Sequence, residues 1–145
     1  MVRAITLLLL ISPLSFAGDN STTIITKGTN NQITTKQVGN GNITYILCGA
    51  NSGGTITGAS YSAHSCTNAV WSSTVEGNSN TVKMYTVWSN NIGNSSTVTI
   101  DGNDNYAYID QDEDDNTVTI TQTGNDNHAE ALGSGDDNVY STTQT

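Results

Sequence analysis

Four asparagines in the second half of the chain, Asn105, Asn116, Asn127 and Asn138, are spaced eleven residues apart. The residues from 102 to 145 divide into four blocks of eleven that align without a gap: GNDNYAYIDQD, EDDNTVTITQT, GNDNHAEALGS and GDDNVYSTTQT. A unit this short cannot bury a core of its own and has to stack on its neighbours. The period therefore predicts a solenoid or a fibre rather than a globular enzyme.

The same period runs through the first part of the chain, where Asn20, Asn31 and Asn42 are also eleven apart. The middle is less regular. The block GNSNTVKMYTV is clear, and Trp88 to Asn90 read as a three-residue insertion before NIGNSSTVTID restores the frame. We expect the repeat to continue through these interruptions.

Each block combines a turn with a strand. Its first four residues are mostly Gly, Asn and Asp, which tolerate left-handed backbone angles or bond to the nearby main chain. The following residues alternate with a period of two and include many β-branched types, as in Thr117 to Gln122, which predicts a strand. Two blocks then make one strand–turn–strand rung of about 22 residues. We predict an all-β fold, a β-solenoid of about five rungs in a single domain at 18–145.

The alternation assigns side chains to faces. Asn105, Ala107, Ile109 and Gln111 point one way, and we take this set as the interior. Buried amides are costly unless they are paired, but identical amides one rung apart, about 4.8 Å, can bond in ladders along the axis. The predicted inward ladder positions are Asn31, Gln37, Asn42, Asn105, Gln111, Asn116, Gln122, Asn127, Asn138 and Gln144.

The turns carry the glycines and most of the acidic residues. Glycines that start a turn block are Gly28, Gly39, Gly77, Gly102, Gly124 and Gly135. A 22-residue rung would place Asp104 over Asp126, and Asp114 and Asp115 over Asp136 and Asp137. Like charges one rung apart repel, and protons or Ca²⁺ would relieve that repulsion. The simpler interpretation is that these are solvated turns; we expect no cofactor and no metal site.

The chain opens with a segment typical of a secretory signal peptide. Arg3 precedes an apolar stretch, and Ser15-Phe16-Ala17 is a small-x-small cleavage site, so we expect residues 1–17 to be removed. We therefore predict a secreted, extracellular protein. The formal net charge of −9 argues against nucleic acid and anionic membrane surfaces as partners, and no later segment is apolar enough for membrane insertion.

The only two cysteines, Cys48 and Cys66, flank an irregular loop. In an exported protein such a pair is most simply a disulfide, although free thiols and an intermolecular link stay open. The alternation also indicates two degenerate strands, one near Gly54–Ala59 and one near Ala69–Val75.

These residues resemble the curlin repeat, whose pattern is Ser/Asn-x5-Gln-x-Gly-x2-Asn-x-Ala/Val-x3-Gln. The best matches are Asn116-x5-Gln122-x-Gly124-x2-Asn127-x-Ala129 and Asn31-x5-Gln37-x-Gly39-x2-Asn42. The resemblance covers most of residues 18–49 and 77–145. The chain departs from the pattern at Gly133, Cys48 and Glu113.

The resemblance implies a subunit located at a bacterial cell surface that polymerises into extracellular amyloid fibres of the biofilm matrix, where they serve adhesion and aggregation. Its partners would be copies of itself, other curlin-like subunits and a curli-type secretion apparatus. An alternative is a monomeric β-solenoid adhesin or binding module that uses the loop at 50–65.

We expect no enzymatic activity. Neither His64 nor His128 has the sequence context of a catalytic triad, and neither is at metal-ligand spacing from the cysteines. An outward row of threonines from Thr117 to Thr123 resembles ice-binding solenoids, but the stacked row at 139–145 is irregular. We expect the tryptophans and tyrosines to serve packing or contacts between fibres.

Overall fold

The computed structural model describes residues 18–26, 28–48, 65–86 and 90–145. All regular structure in these residues is β. The strands are β1 (Ser21–Thr26), β2 (Gly28–Thr29), β3 (Gln32–Val38), β4 (Ile43–Cys48), β5 (Ser65–Thr67), β6 (Val70–Glu76), β7 (Thr81–Thr86), β8 (Asn90–Ile92), β9 (Ser95–Asp101), β10 (Tyr106–Gln111), β11 (Thr117–Thr123), β12 (His128–Gly133) and β13 (Val139–Gln144).

The strands form three parallel sheets that run along one axis. The front sheet has the order β1-β4-β7-β10-β12, the back sheet has β3-β6-β9-β11-β13, and a narrow side sheet has β2-β5-β8. One front strand and the next back strand make one rung. The described residues therefore form five rungs, with four steps between the first and the fifth. The predicted all-β solenoid is confirmed.

The register shows where the repeat is regular and where it is interrupted. In the front sheet Ser21 pairs with Ile43, Ile43 with Thr81, Thr81 with Tyr106, and Tyr106 with His128. Side chains at equivalent turn positions of successive rungs are therefore 22, 38, 25 and 22 residues apart. The long step contains the cysteine loop and the step of 25 contains the three-residue insertion, and neither changes which residues face inward.

The irregular middle of the chain contains one strand that was predicted and a side sheet that was not. The predicted degenerate strand near Ala69–Val75 is β6, which begins at Val70 and extends to Glu76. The side sheet was not predicted, because its strands of two or three residues are too short to show a period. The other degenerate strand, at Gly54–Ala59, lies outside the described residues.

The core is a single column of inward side chains between the front and back sheets. Its largest member is Trp71, which is 1% exposed and stacks between Ile33 and Ser96 on the neighbouring back strands. In the last rung the ring of Tyr140 lies so close to Gly133 that a Cβ there would be 2.9 Å from Cε2. Glycine at the expected Gln position thus makes room for the tyrosine ring.

The two cysteines form an intramolecular disulfide within this core. Cys48 at the end of β4 is bonded to Cys66 in β5, and both residues are buried. The bridge joins the second front strand to the side sheet and closes the loop at 49–64, which lies outside the described residues.

Within the described part of the chain, no helix has the length and apolar character that crossing a membrane requires.

Candidate functional site: amide ladders and edge strands

One asparagine ladder follows the turns that lead from each back strand to the next front strand. Its members, one per rung, are Asn20, Asn42, Asn80, Asn105 and Asn127. The Oδ1 atom of each accepts the backbone N–H of the next, at 2.8, 3.0, 2.9 and 2.9 Å along the series. We call this series the first ladder.

The amide nitrogens of the first ladder donate hydrogen bonds to backbone carbonyls of the turns. The Nδ2 of Asn42 donates to the Gly77 carbonyl, and that of Asn105 donates to the Gly124 carbonyl, at 2.8 and 2.9 Å. Because the chain bends at each turn, these carbonyls point inward and need a donor. Leaving such a buried group unpaired costs about 1–3 kcal/mol, so one asparagine side chain replaces the backbone partners that the turn removes.

A second ladder follows the opposite turns. Its members are Asn31, Asn94, Asn116 and Asn138. The Asn94 Oδ1 accepts the N–H of Asn116 at 2.8 Å, and the Asn116 Oδ1 accepts that of Asn138 at 3.0 Å. In the second rung the position is held by Ala69, whose N–H bonds Asn31 Oδ1 at 3.1 Å. Alanine has no acceptor to offer the third rung, so the second ladder is broken there.

Three ladder members were missing from the predicted set. Asn80 and Asn94 are buried, at 0% and 1% exposed, and Asn20 is half-buried. Each is the fourth residue of its block, the position that Asn31, Asn42 and the later members also hold. The block position was therefore the signal that could have identified them.

The glutamines differ from the prediction. Only Gln122 and Gln144 bond side chain to side chain along the axis, at 2.9 Å. The Nε2 atoms of Gln37 and Gln111 donate instead to backbone carbonyls on the opposite sheet, those of Ser21 and Ser95. The predicted axial bonding of glutamines is thus found only between Gln122 and Gln144, because Val75 and Ile100 hold the positions between Gln37 and Gln122. The glutamine side chains mainly bridge the two sheets across the core.

The turn glycines adopt the left-handed backbone that was expected of them. All six have positive φ, from 93° at Gly135 to 144° at Gly102. At Gly102 a Cβ would also lie 1.7 Å from the carbonyl oxygen of Gly124 in the next rung. Glu113 holds the same place in its own turn with φ of 72°. The close approach of successive turns is what requires glycine.

A third row of amides lies on the outside of the turns that carry the first ladder. Asn40, Asn78, Asn103 and Asn125 stack in order, and here each backbone N–H donates to the Oδ1 of the following rung. The inward ladders run the other way, with each Oδ1 serving the rung that follows. The two ends of the solenoid therefore present different hydrogen-bonding groups.

The edge strands are where this difference is exposed. In the described part of the chain, β12 and β13 at one end and β1 and β3 at the other each pair with a single strand. The Oδ1 atoms of all seven earlier ladder asparagines accept a backbone N–H from the rung that follows. No described group donates to the corresponding atoms of Asn127 and Asn138. The last rung thus has the acceptors of a ladder without the next rung.

The acidic turns stack as the 22-residue period predicted. Asp126 N–H donates to the Asn103 carbonyl, and Asp137 N–H donates to the Asp114 carbonyl, so the acidic turns of the last two rungs lie over one another. Among the described residues, no group of three or more His, Cys, Asp or Glu side chains is arranged to hold a metal ion. Of the stacked carboxylates, Asp114 is half-buried, and the others are exposed: Asp104, Asp115, Asp126, Asp136 and Asp137.

Aromatic side chains cover the outer surface of the front sheet. The Tyr106 ring lies 4.7 Å from that of His128 and 5.4 Å from the Lys83 ammonium, and Tyr85 packs edge-on against Tyr108. The Tyr108 hydroxyl also donates to Asp110. Trp88 and Tyr61 lie outside the described residues, as does His64.

One carboxyl on this surface has a perturbed pKa. Partial burial raises the pKa of Asp110, and repulsion from Asp112 adds to the shift, whereas the hydrogen bond from Tyr108 opposes it. The same neighbourhood raises the pKa of Tyr108, mainly through burial and then through the nearby Asp110 charge. The ionised form of Asp110 is therefore disfavoured by folding.

Comparison with known proteins gives no relative. No family model matches the sequence, and neither the curated proteins nor the solved structures contain a match.

Proposed function

We propose that this protein is a secreted structural subunit that adds to copies of itself, end to end, and builds extracellular fibres of the kind that the curlin resemblance implies. The observation that carries the proposal is the pair of ladder acceptors, Asn127 Oδ1 and Asn138 Oδ1, beside two unpaired strand edges. Unpaired edges template the addition of further strands.

A second copy stacked in the same register would continue every column. Its β1 would pair with β12 and its β3 with β13, because the rungs follow one another in this order within the chain. The N–H groups of Asn20 and Asn31 in the incoming copy would then meet Asn127 Oδ1 and Asn138 Oδ1. The Asn20 N–H, which bonds the Gly18 carbonyl at 2.6 Å, would exchange that partner. Heterologous contacts of this kind give open filaments rather than closed rings.

The distribution of charge supports one direction of stacking. Residues 124–145 contain four acidic residues and no lysine, whereas residues 18–38 contain two lysines and a single aspartate. Two acidic ends repel each other, but an acidic end meets no such barrier at the first rung. Head-to-tail addition is thereby favoured over tail-to-tail contact.

The experiment is electron microscopy with thioflavin staining of the purified exported chain, which is the chain without residues 1–17. We expect unbranched fibres that bind the dye. A chain that stays monomeric at high concentration, both at neutral and at mildly acidic pH, would contradict the proposal.

A further inference from the structure

The outer surface of the back sheet carries two columns of short hydroxyl side chains. The register places Thr34, Ser72, Thr97, Thr119 and Ser141 in one column, and Lys36, Thr74, Thr99, Thr121 and Thr143 in the other. Nine of these ten residues are serine or threonine. We call the two columns the threonine face.

We propose that the threonine face packs against the threonine face of a second copy of this chain in a neighbouring fibre. This inference rests on the proposed function, because it concerns how fibres associate sideways once they exist.

The chemistry of the face is complementary to itself. No hydroxyl of the threonine face forms a hydrogen bond to another group in the described residues. A hydroxyl both donates and accepts, so a face of hydroxyls can bond to an identical face, which a face of one charge cannot do. Short side chains also let two parallel sheets approach to about 10 Å or less and interdigitate.

The threonine face also contains a single charged residue, Lys36, although the chain as a whole is acidic. The formal net charge is −9, yet the outward charges of the back sheet are limited to Lys36, Glu76 and Asp101. Lys36 is on the edge strand β3 and pairs with Glu76 at 2.6 Å. Glu76 and Asp101 are the last residues of their strands, so the charges form a margin around an uncharged centre.

The area of the back sheet indicates whether monomers or only fibres can associate through the threonine face. The whole back sheet, with five strands of about seven residues, covers roughly 550 Å² per copy, from about 4.8 Å between strands and about 3.3 Å along them. Stable pairs of proteins bury about 800 Å² per partner, so two free monomers fall short. In stacked fibres the same patch repeats with every subunit, and many weak contacts act together. The face should therefore bundle fibres and leave monomers apart.

The test compares Thr119→Lys at the centre of the face with Thr81→Lys on the outer surface of the front sheet. Both variants of the exported chain gain one positive charge per subunit. We measure fibre width by electron microscopy and elongation by seeded thioflavin kinetics. Wild-type and T81K fibres should bundle two or more solenoids side by side, whereas T119K fibres should be one solenoid wide and elongate at the wild-type rate.

The outcomes separate this inference from the function on which it rests. Equal bundling of T119K and T81K would overturn the lateral contact alone and leave the fibre proposal intact. Wild-type fibres could instead stay single and adsorb to ice or cellulose through the threonine face. That result would overturn the lateral contact and identify a different partner for the face. A chain that forms no fibres at all would overturn both proposals together.

Discussion

At the scale of the residue, one asparagine per turn forms the hydrogen bonds to backbone groups that neighbouring strands form within the sheets. Its Oδ1 accepts a backbone N–H of the next rung and its Nδ2 donates to a turn carbonyl, as at Asn105. Aspartate has no N–H to donate and glutamine is one methylene longer, so neither reproduces both bonds. The repeated asparagine of the sequence is thus a direct consequence of the turn geometry.

Replacement of Asn105 by alanine should lower the free energy of unfolding of the monomer by about 2–3 kcal/mol, because it leaves the Gly124 carbonyl and the Asn127 N–H without partners. The matched control is Asn103→Ala in the outer row, where water can replace the lost bonds. We expect the control to cost less than about 1 kcal/mol. Urea unfolding followed by circular dichroism measures both, and equal losses would contradict the inward role of Asn105.

The Asp110 carboxyl gives a second prediction at this scale. Its pKa is raised in the folded chain, so the folded state binds more protons and stability falls as pH rises from about 3.9, the ordinary carboxyl value, through the raised pKa. Asp110→Asn should therefore be more stable than wild type at neutral pH, with the difference vanishing below that window. Thermal unfolding from pH 3 to pH 7 measures this, and a difference that grows towards acid pH would show the sign to be wrong.

At the scale of the element, the interruptions of the repeat occur between rungs and leave the strands in register. The disulfide is the clearest case, since it closes the longest step and both sulfurs are in the core. The loop can vary in length because the bridge and the side sheet fix its two ends. This explains how one chain combines a strict period with a 38-residue step.

Removal of the bridge by Cys48→Ala with Cys66→Ala should lower the free energy of unfolding by about 3 kcal/mol, through the freedom that a loop of this size regains in the unfolded chain. Thr86→Ala is the control, because Thr86 pairs with Cys48 in the next rung and is equally buried but closes no loop. Denaturant unfolding of the two variants should differ clearly. A double variant as stable as T86A would mean that the loop ends are held by other contacts.

The sequence predicts the elements well where the period is strict and poorly where a position departs from it. Strands such as β10 and β11 follow from alternation and from the turn residues before them. The glutamine bridges do not follow, because a Gln at an inward position is compatible both with an axial ladder and with a bond across the core. The choice depends on whether the neighbouring rung also has a Gln, and Val75 and Ile100 show that it does not.

At the scale of the whole molecule, the described chain is a polar object with two dissimilar ends. The inward ladders leave acceptors at the last rung, and the acidic residues are concentrated towards the same end. A head-to-tail polymer satisfies both features at once, since the first rung supplies backbone donors and Lys36. Neither feature is satisfied when two copies meet by the same end.

X-ray diffraction from aligned fibres assembled from residues 18–145 tests this account most directly. Head-to-tail stacking of five rungs predicts a reflection at about 4.8 Å along the fibre axis together with an axial subunit repeat of about 24 Å. A repeat of about twice that length would indicate alternating orientations, and a reflection at about 4.8 Å perpendicular to the axis would place the strands along the fibre. Either result would contradict the claim that the open ends of the solenoid stack on one another in one direction.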